Sequence, residues 1–328
     1  MKRKFNVLVM AAGSPLGQSI YKALAQSSLS LNLYLADISE MAAGFYLNSN
    51  AGTNIILPLV KSNDYFEKLK KAIDKFNIEV IFPVISVEHD FFASHIEYFN
   101  SHDIHVITPD KSLYDLCNDK YLSMTYLRDK GFKAPDTELC ESNEQVDSFL
   151  SRNKFPIVMK PRYGASSQNV FVVEDPERLL AIANAFPQEY FVLQEFLPDD
   201  KEYTVGVYIS NDRSFKQTFV INRELKFGLS YKGAVVVNEQ ISDYCLTLCS
   251  MLGMSYSTNV QLKMIDGEPC AFEINPRLSS TTAVRAHFGF NEPEMVMWEL
   301  FYDISEYRWR ARTGKFMRYW EEVYIGEE

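Results

Sequence analysis

Over the first 110 residues, short apolar runs alternate with segments whose apolar positions recur every three or four residues. FNVLVMAA, LNLYLADI, EVIFPVI and IHVITP read as strands, whereas LGQSIYKALAQS, NDYFEKLKKAIDKFN and EHDFFASHIEYFNSH carry the helical period. Strands and helices alternating at this spacing predict a parallel sheet wound with helices, a Rossmann-like domain over residues 1–110. Pro109 closes that unit, and CNDKYLSMTYLRDKG predicts a helix ended by Gly131. Residues 132–188 read as a small α+β insert with strands near FPIVMKP and NVFVVED. From EYFVLQEFL onward the pattern is mostly β: EYTVGVYIS, FKQTFVINR and KGAVVVN. A helix at ISDYCLTLCSMLG follows, then a hairpin, NVQLKMIDGEPCAFEIN, with Asp266-Gly267 at its turn. The expected class is therefore α/β and α+β: a parallel-sheet domain over 1–110, linker helices and a small lid over 111–190, and a larger antiparallel-sheet unit over 191–328.

Composition narrows the function classes. Apolar residues make up 47% and charged residues 23%, as in an ordinary globular protein. The balance of 33 Lys plus Arg against 43 Asp plus Glu, a net charge of −10, argues against a general nucleic-acid surface but leaves room for a local basic cleft. Five cysteines with no CxxC pair read as reduced thiols, which implies a cytoplasmic location. MKRKFNVLVMAAG is too short in its apolar run for a leader, and a glycine turn follows it, so it reads as the first strand. No stretch approaches the roughly 18 apolar residues of a membrane span. RWRARTGKFMRYWEEVYI reads as a helix and strand covering the protein body, since acidic residues, Val323 and Ile325 run through its end.

Four stretches carry candidate chemistry. Gly13-Ser14-Pro15-Leu16-Gly17 joins a strand to a helix, with Asp37 twenty residues beyond. That invites a dinucleotide reading, but Pro15 and Gln18 break the G-x-G-x-x-G pattern, and the amides at this helix start could instead hold an anion or a substrate carboxylate. Lys160 ends a strand ahead of a loop of small residues, Gly164, Ala165, Ser166 and Ser167, able to bring backbone N–H groups close to phosphate oxygens. Glu195 and Glu202 flank a bend between two apolar strands, where an adenine could pair with the backbone and a carboxylate could accept from ribose hydroxyls. Finally, AFEINPRLSS sets Glu273 and Asn275 on one strand face and stops at Pro276 before Arg277. A core would resist that pair unless something satisfied its oxygens; the alternative is a solvent-facing edge strand.

In sequence order, DLCNDKYLSMTYLRDKGFKAPDT, FPIVMKP with its small-residue loop, QEFLPDDKEYTV and NVQLKM…AFEINPR together resemble the ATP-grasp superfamily. The likeness is greatest to the nucleotide-binding halves of the carbamoyl phosphate synthase large chain and to stand-alone carboxylate–amine ligases, and it covers the whole chain. It implies an N-terminal domain that precedes the grasp fold, then lid and metal-bearing subdomains. Lys120 and Lys160 match the two basic phosphate-binding positions, with Ser166 in the phosphate loop. Glu195 and Leu197 match the adenine-binding linker, and Glu202 the ribose-binding carboxylate. Gln261, Glu273 and Asn275 match the magnesium ligands, with Arg277 beside the reacting phosphate. The chain departs from many relatives in having a single glycine in its lid loop, and from most grasp ligases in having glutamine at 261.

The resemblance thus implies an ATP-dependent ligase that activates a small-molecule carboxylate as an acyl phosphate and couples it to an amine. ATP and Mg²⁺, or Mn²⁺ in its place, are the implied cofactors. The implied partners are the two small substrates and a second copy of the chain in a homodimer, with no nucleic acid and no membrane. Ser14, Glu88, His89, Arg285 and His287 are the candidate substrate contacts, Arg285 first among them as a natural partner for a carboxylate near the γ-phosphate. Two rivals stand beside this reading: an ATP-binding sensor or scaffold without catalysis, and an NAD(P)-dependent oxidoreductase built on Gly13 to Asp37. If Gln261 and Glu273 serve one metal site they must share a sheet face, which a two-residue turn with an unbroken ladder forbids. The expected hairpin therefore has a three-residue loop, Ile265-Asp266-Gly267, or a compensating bulge further along.

Overall fold

The computed structural model describes residues 3–47, 54–164, 169–198 and 201–326. The N-terminal domain runs β1 (Phe5–Val9), α1 (Pro15–Leu24), β2 (Leu31–Asp37), β3 (Asn54–Ile56), α2 (Tyr65–Phe76), β4 (Val80–Phe82), α3 (Ser86–Ser94), α4 (Ile96–Ser101) and β5 (His105–Val106). Its strands are parallel in the order β3-β2-β1-β4-β5, and Val7, Leu8, Val9, Ile81 and Phe82 are wholly buried because helices cover both faces. The strand order reverses between β1 and β4, so the loops leaving these two strands flank the crevice where such sheets bind ligands. β3 was not anticipated, although the run Ile55-Ile56-Leu57 carries its signal. The single helix expected over 88–102 is instead two, parted at His95, whose Nδ1 lies 2.8 Å from the Phe91 carbonyl oxygen.

Two linker helices follow, α5 (Lys111–Asn118) and α6 (Lys120–Asp129). Then come β6 (Thr137–Leu139), α7 (Asn143–Arg152), β7 (Ile157–Pro161), β8 (Phe171–Val173), α8 (Pro176–Ala185) and β9 (Phe191–Glu195), an antiparallel sheet of order β6-β9-β7-β8. This lid has its own core, in which Phe149 of α7 and Leu179 of α8 pack on Ile157, Met159, Val173 and Leu193. Because β9 pairs with β6 and β7, the lid sheet reaches Glu195, past the boundary expected at residue 190.

The last unit comprises β10 (Glu202–Ile209), β11 (Lys216–Lys226), β12 (Leu229–Val236), α9 (Glu239–Met251), β13 (Tyr256–Ile265), β14 (Glu268–Asn275), α10 (Thr282–His287), α11 (Glu292–Phe301) and β15 (Lys315–Met317). Its sheet runs β14-β13-β10-β11-β12-β15. One face, with Val205, Val207, Val260 and Leu262, is packed by α9 through Ile241, Cys245 and Leu248. On the other face Tyr208, Phe219 and Ile221 join Phe290, Met295 and Val296 in the core of the N-terminal domain. All five cysteines are unpaired, and no helix of the described residues is long and apolar enough to cross a membrane. The helix expected in residues 308–325 does not form: only β15 is regular there, and Tyr319, Trp320 and Tyr324 stand exposed. What holds this stretch is tertiary contact, with Trp309 against Phe290 and β15 added to the edge of β12.

The β13–β14 hairpin departs from the three-residue loop and follows the alternative. Ile265 pairs with Glu268 across a two-residue turn in which Asp266 (φ 53°) and Gly267 (φ 80°) are both left-handed, the type I′ geometry that Asp-Gly favours. The register then shifts: Leu262 faces Ala271 but Gln261 faces Glu273, leaving Phe272 as the extra residue of a bulge. Ala271 and Ile274 therefore both reach the α9-side core, three positions apart on one strand, while Glu273 and Asn275 turn to the opposite face.

Candidate functional site

The ladder arranges the polar face of the large sheet in transverse rows. Arg223, Glu202 and Lys263 lie side by side; Ile221, Thr204, Gln261 and Glu273 form the next row, and Phe219, Gly206, Asn259 and Asn275 the third. Directly opposite residues share a face, so Gln261, Glu273, Asn259 and Asn275 all point to the face of the sheet opposite α9.

Glu273 is the electrostatic centre. Burial alone would push its carboxyl upward, but Lys120, Lys160, the Asn275 amide and Arg277 outweigh that and hold it below the usual carboxylate range. Asn275 Nδ2 donates to Glu273 Oε1 at 2.9 Å, and Arg277 donates to Asn275 Oδ1 at 3.2 Å and to the Leu278 carbonyl at 2.8 Å. Lys120 opens α6, whose N-cap Asp119 accepts from the Tyr121 and Leu122 N–H groups and from Arg162, and Lys120 Nζ donates to the Gly164 carbonyl at 2.9 Å. Lys160, buried at the end of β7, donates to Gln194 Oε1 at 2.8 Å and to the carbonyl of the bulged Phe272 at 3.3 Å. Burial, with Lys120 adding to it against Glu273, lowers the Lys160 ammonium to about 8. Gln194 is itself fixed by donating to Thr137 Oγ1 at 3.0 Å.

Between lid and sheet lies a cleft of about 450 Å³. Val158 and Val172 from the lid face Leu225 and Phe272 from the sheet, an apolar slot for a flat ring, while Lys120, Lys160, Glu202, Gln261 and Glu273 line its polar part. Leu197 is buried on the linker, its carbonyl held by Lys263 Nζ at 2.8 Å, and exposed Glu195 accepts from the Asp136 N–H at 3.1 Å. Ser166 lies outside the described residues.

A second cavity of about 20 Å³, room for one water-sized group, opens beside Arg277, Glu273 and Asn275 and is lined by Ser86, His89 and Tyr114. His89 comes from the β4–α3 crossing at the switch point. Its Nδ1 lies 3.0 Å from Thr108 Oγ1, and its Nε2 has no hydrogen-bond partner among the described residues. Burial and the Arg277 charge lower the imidazole to about 3, so it is neutral.

The other expected substrate residues stand apart. Glu88 turns back to accept from the Val84 and Ile85 N–H groups at 2.8 and 3.1 Å and lines neither cavity. Ser14 caps α1 by accepting from the Gly17 N–H at 3.0 Å. His287 is exposed at the end of α10, edge-on to Phe288, and lines neither cavity. For Arg285 the expectation is corrected: it is 0% exposed, ion-paired with equally buried Glu292 at 2.8 Å and bonded to Asn259, with no face open to a substrate. It fits there because residue 206 is glycine; a Cβ at that position would lie 2.8 Å from the guanidinium carbon. The oxidoreductase rival fares no better. Asp37, the group that would bind a ribose, accepts instead from the N–H groups of Gly13, Ile38 and Ser39 at 2.8–3.2 Å.

No three His, Cys, Asp or Glu side chains converge among the described residues, so a divalent cation here would depend on one carboxylate and amide oxygens. Glu273, ionised and backed by Asn275, fits that requirement. Gln261 fits it less well, because Arg223 NH2 donates to its Oε1 at 2.8 Å while also pairing with Glu202 at 2.5 Å. Arg223, Gln194, Lys263 and Tyr114 were missed from sequence; each is a lone polar residue in an otherwise apolar or mixed run, with no spacing to announce it.

Residues 117–281 match the ATP-grasp domain family. The D-alanine–D-alanine ligase of Helicobacter pylori (strain P12) is 29% identical over 217 residues, 61% of this chain and 60% of that protein. The chain spans about two-fifths to three-fifths of the length of such curated relatives. Among solved structures, L-amino acid ligase from Bacillus licheniformis superposes with a TM-score of 0.72 at 16% identity, over 96% of this chain and 80% of that one. The biotin carboxylase domain of 2-oxoglutarate carboxylase from Hydrogenobacter thermophilus, solved with MgADP, ADP and bicarbonate, gives 0.72 at 12% identity, over 92% of this chain and 70% of that one.

Proposed function

Because the chain belongs to the ATP-grasp family, we propose that it is an ATP-dependent carboxylate–amine ligase: ATP phosphorylates a small-molecule acid, and an amine displaces phosphate from the acyl phosphate. The observation that carries this reading is the ionised Glu273 set among Lys120, Lys160 and Arg277 at the floor of a cleft of about 450 Å³. Lys120 and Lys160 neutralise the nucleotide phosphates, the backbone of Glu195 to Leu197 pairs with adenine, and Glu202 accepts from the ribose. Arg277 stabilises charge on the transferring phosphoryl group, and the lid keeps water out. Glu273 and Asn275 would hold Mg²⁺, which supplies charge neutralisation on the phosphate oxygens when bound. The MgADP in the Hydrogenobacter thermophilus domain and the ligase activities named for the relatives support this assignment. The unpaired cysteines are in keeping with a cytoplasmic location.

The test is to incubate the protein with ATP, Mg²⁺ and pooled amino and sugar acids and follow ADP and phosphate. Turnover is expected for some acid–amine pair, and Glu273→Gln should lower it by about 10²–10³-fold, the scale of losing one preorganised charge contact, while the melting temperature holds. Turnover undiminished in that variant sinks the assignment. ATP binding with no phosphate release for any pair would favour the sensor or scaffold.

A further inference from the structure

We infer that the guanidinium of Arg223 occupies the position a second divalent cation would take against Gln261, so that the nucleotide-loaded chain carries one divalent cation and not two. The inference rests on the ATP-binding reading above and goes beyond it.

Four hydrogen bonds fix Arg223, whose side chain is only 7% exposed. Nε and NH2 donate to Glu202 Oε1 at 2.9 and 2.5 Å, NH1 to Ser230 Oγ at 3.1 Å, and NH2 to Gln261 Oε1 at 2.8 Å. The guanidinium thus spans two rows of the sheet and ends on the one oxygen that residue 261 could offer a metal. A Mg²⁺ at its usual ~2.1 Å from that oxygen would face a guanidinium nitrogen bonded to the same atom, two cations sharing a single neutral acceptor. Moving the guanidinium aside would break its contact with Glu202 in a largely buried place.

Charge count points the same way. Glu273 is the only carboxylate in its row, and Lys120, Lys160 and Arg277 already surround it. It can support one cation together with Asn275, whereas residue 261, an amide, brings no charge for another. Arg223 therefore places against Gln261 the positive charge that a second metal would bring there.

The experiment counts Mn²⁺, a spin-active substitute for Mg²⁺, bound by protein holding the non-hydrolysable analogue AMP-PNP, using electron paramagnetic resonance with protein in excess over nucleotide. The wild type should bind one Mn²⁺ per AMP-PNP. Arg223→Gln, which frees both the Gln261 oxygen and the neighbouring Glu202 carboxylate, should bind two, and Arg223→Lys, which keeps the charge, should return to one. Two Mn²⁺ in the wild type overturn the inference, as does a folded Arg223→Gln that still binds one. Should Arg223→Gln fail to fold, the wild-type count decides alone. Absence of any AMP-PNP binding, seen by calorimetry, overturns the nucleotide reading and this inference with it; AMP-PNP bound with two Mn²⁺ overturns this inference only.

Discussion

At Lys160, desolvation and function pull in opposite directions. Burial and Lys120 lower its ammonium to about 8, from an ordinary value of 10.5. Phosphate binding needs the proton, so affinity for AMP-PNP should weaken by up to tenfold per pH unit above 8, as calorimetric titration from pH 7 to 9.5 would show. Lys160→Arg, charged throughout, should bind without that slope. Stability follows the other sign: between pH 8 and 10.5 the unfolded chain holds a proton at this residue that the folded chain has lost, so the Lys160 contribution to stability rises with pH there. The urea midpoint of the nucleotide-free wild type should rise relative to that of Lys160→Met across that window. Which residues gather about Glu273 was legible from motif order, because Lys120, Lys160 and Arg277 sit at or just past strand or helix ends that the fold brings together. Arg285 was not, since nothing in its neighbourhood says that Gly206, 79 positions earlier, leaves the hole it fills.

Among the elements, the β13–β14 hairpin shows how far local pattern reaches. Asp266-Gly267 announced a two-residue turn, and that turn is present. Core residues Ala271 and Ile274, three apart where an unbroken strand would place partners two or four apart, were the legible sign of the bulge at Phe272, yet the apolar run CAFEI disguises it. The third row of the sheet offers a sharper test. Gly206→Ala would place a methyl 2.5–3.0 Å from atoms of an Arg285 that Glu292 and Asn259 hold still. Overpacking of this kind should cost about 1–3 kcal/mol, read as a lower urea midpoint at constant slope. An unchanged midpoint would mean that Arg285 moves aside freely. The helix expected in residues 308–325 fails for a different cause: its aromatic and basic residues follow no helical stripe, and Gly314 sits against the Phe288 ring, so composition alone suggested an element.

On the scale of the molecule, the cores divide unequally. The N-terminal sheet and helices α10 and α11 share one, which Glu294 tightens by accepting from the Ser28 N–H and hydroxyl at 2.7 Å, and Ser19 by donating to the Ser280 carbonyl at 2.9 Å. The lid keeps its own. The alternation of strand and helix made the first domain legible, but which surfaces merge into a common core depends on side chains far apart in sequence. The lid enters the chain through β6 and leaves through β9, and these strands are neighbours: the Glu195 N–H donates to the Asp136 carbonyl at 2.8 Å. Its two connections to the body are therefore already one hydrogen bond apart, which makes the lid a removable cassette. Replacing residues 137–194 with a two-residue Asn-Gly turn closes the gap without a long loop. The shortened protein should fold cooperatively, keep the protection of β1, β10 and β13 in hydrogen exchange, and lose nucleotide binding; loss of protection in β1 would show that the lid supports the rest. Exchange of this cassette between relatives would then alter how the nucleotide is enclosed while leaving the crevice between β1 and β4 as it is.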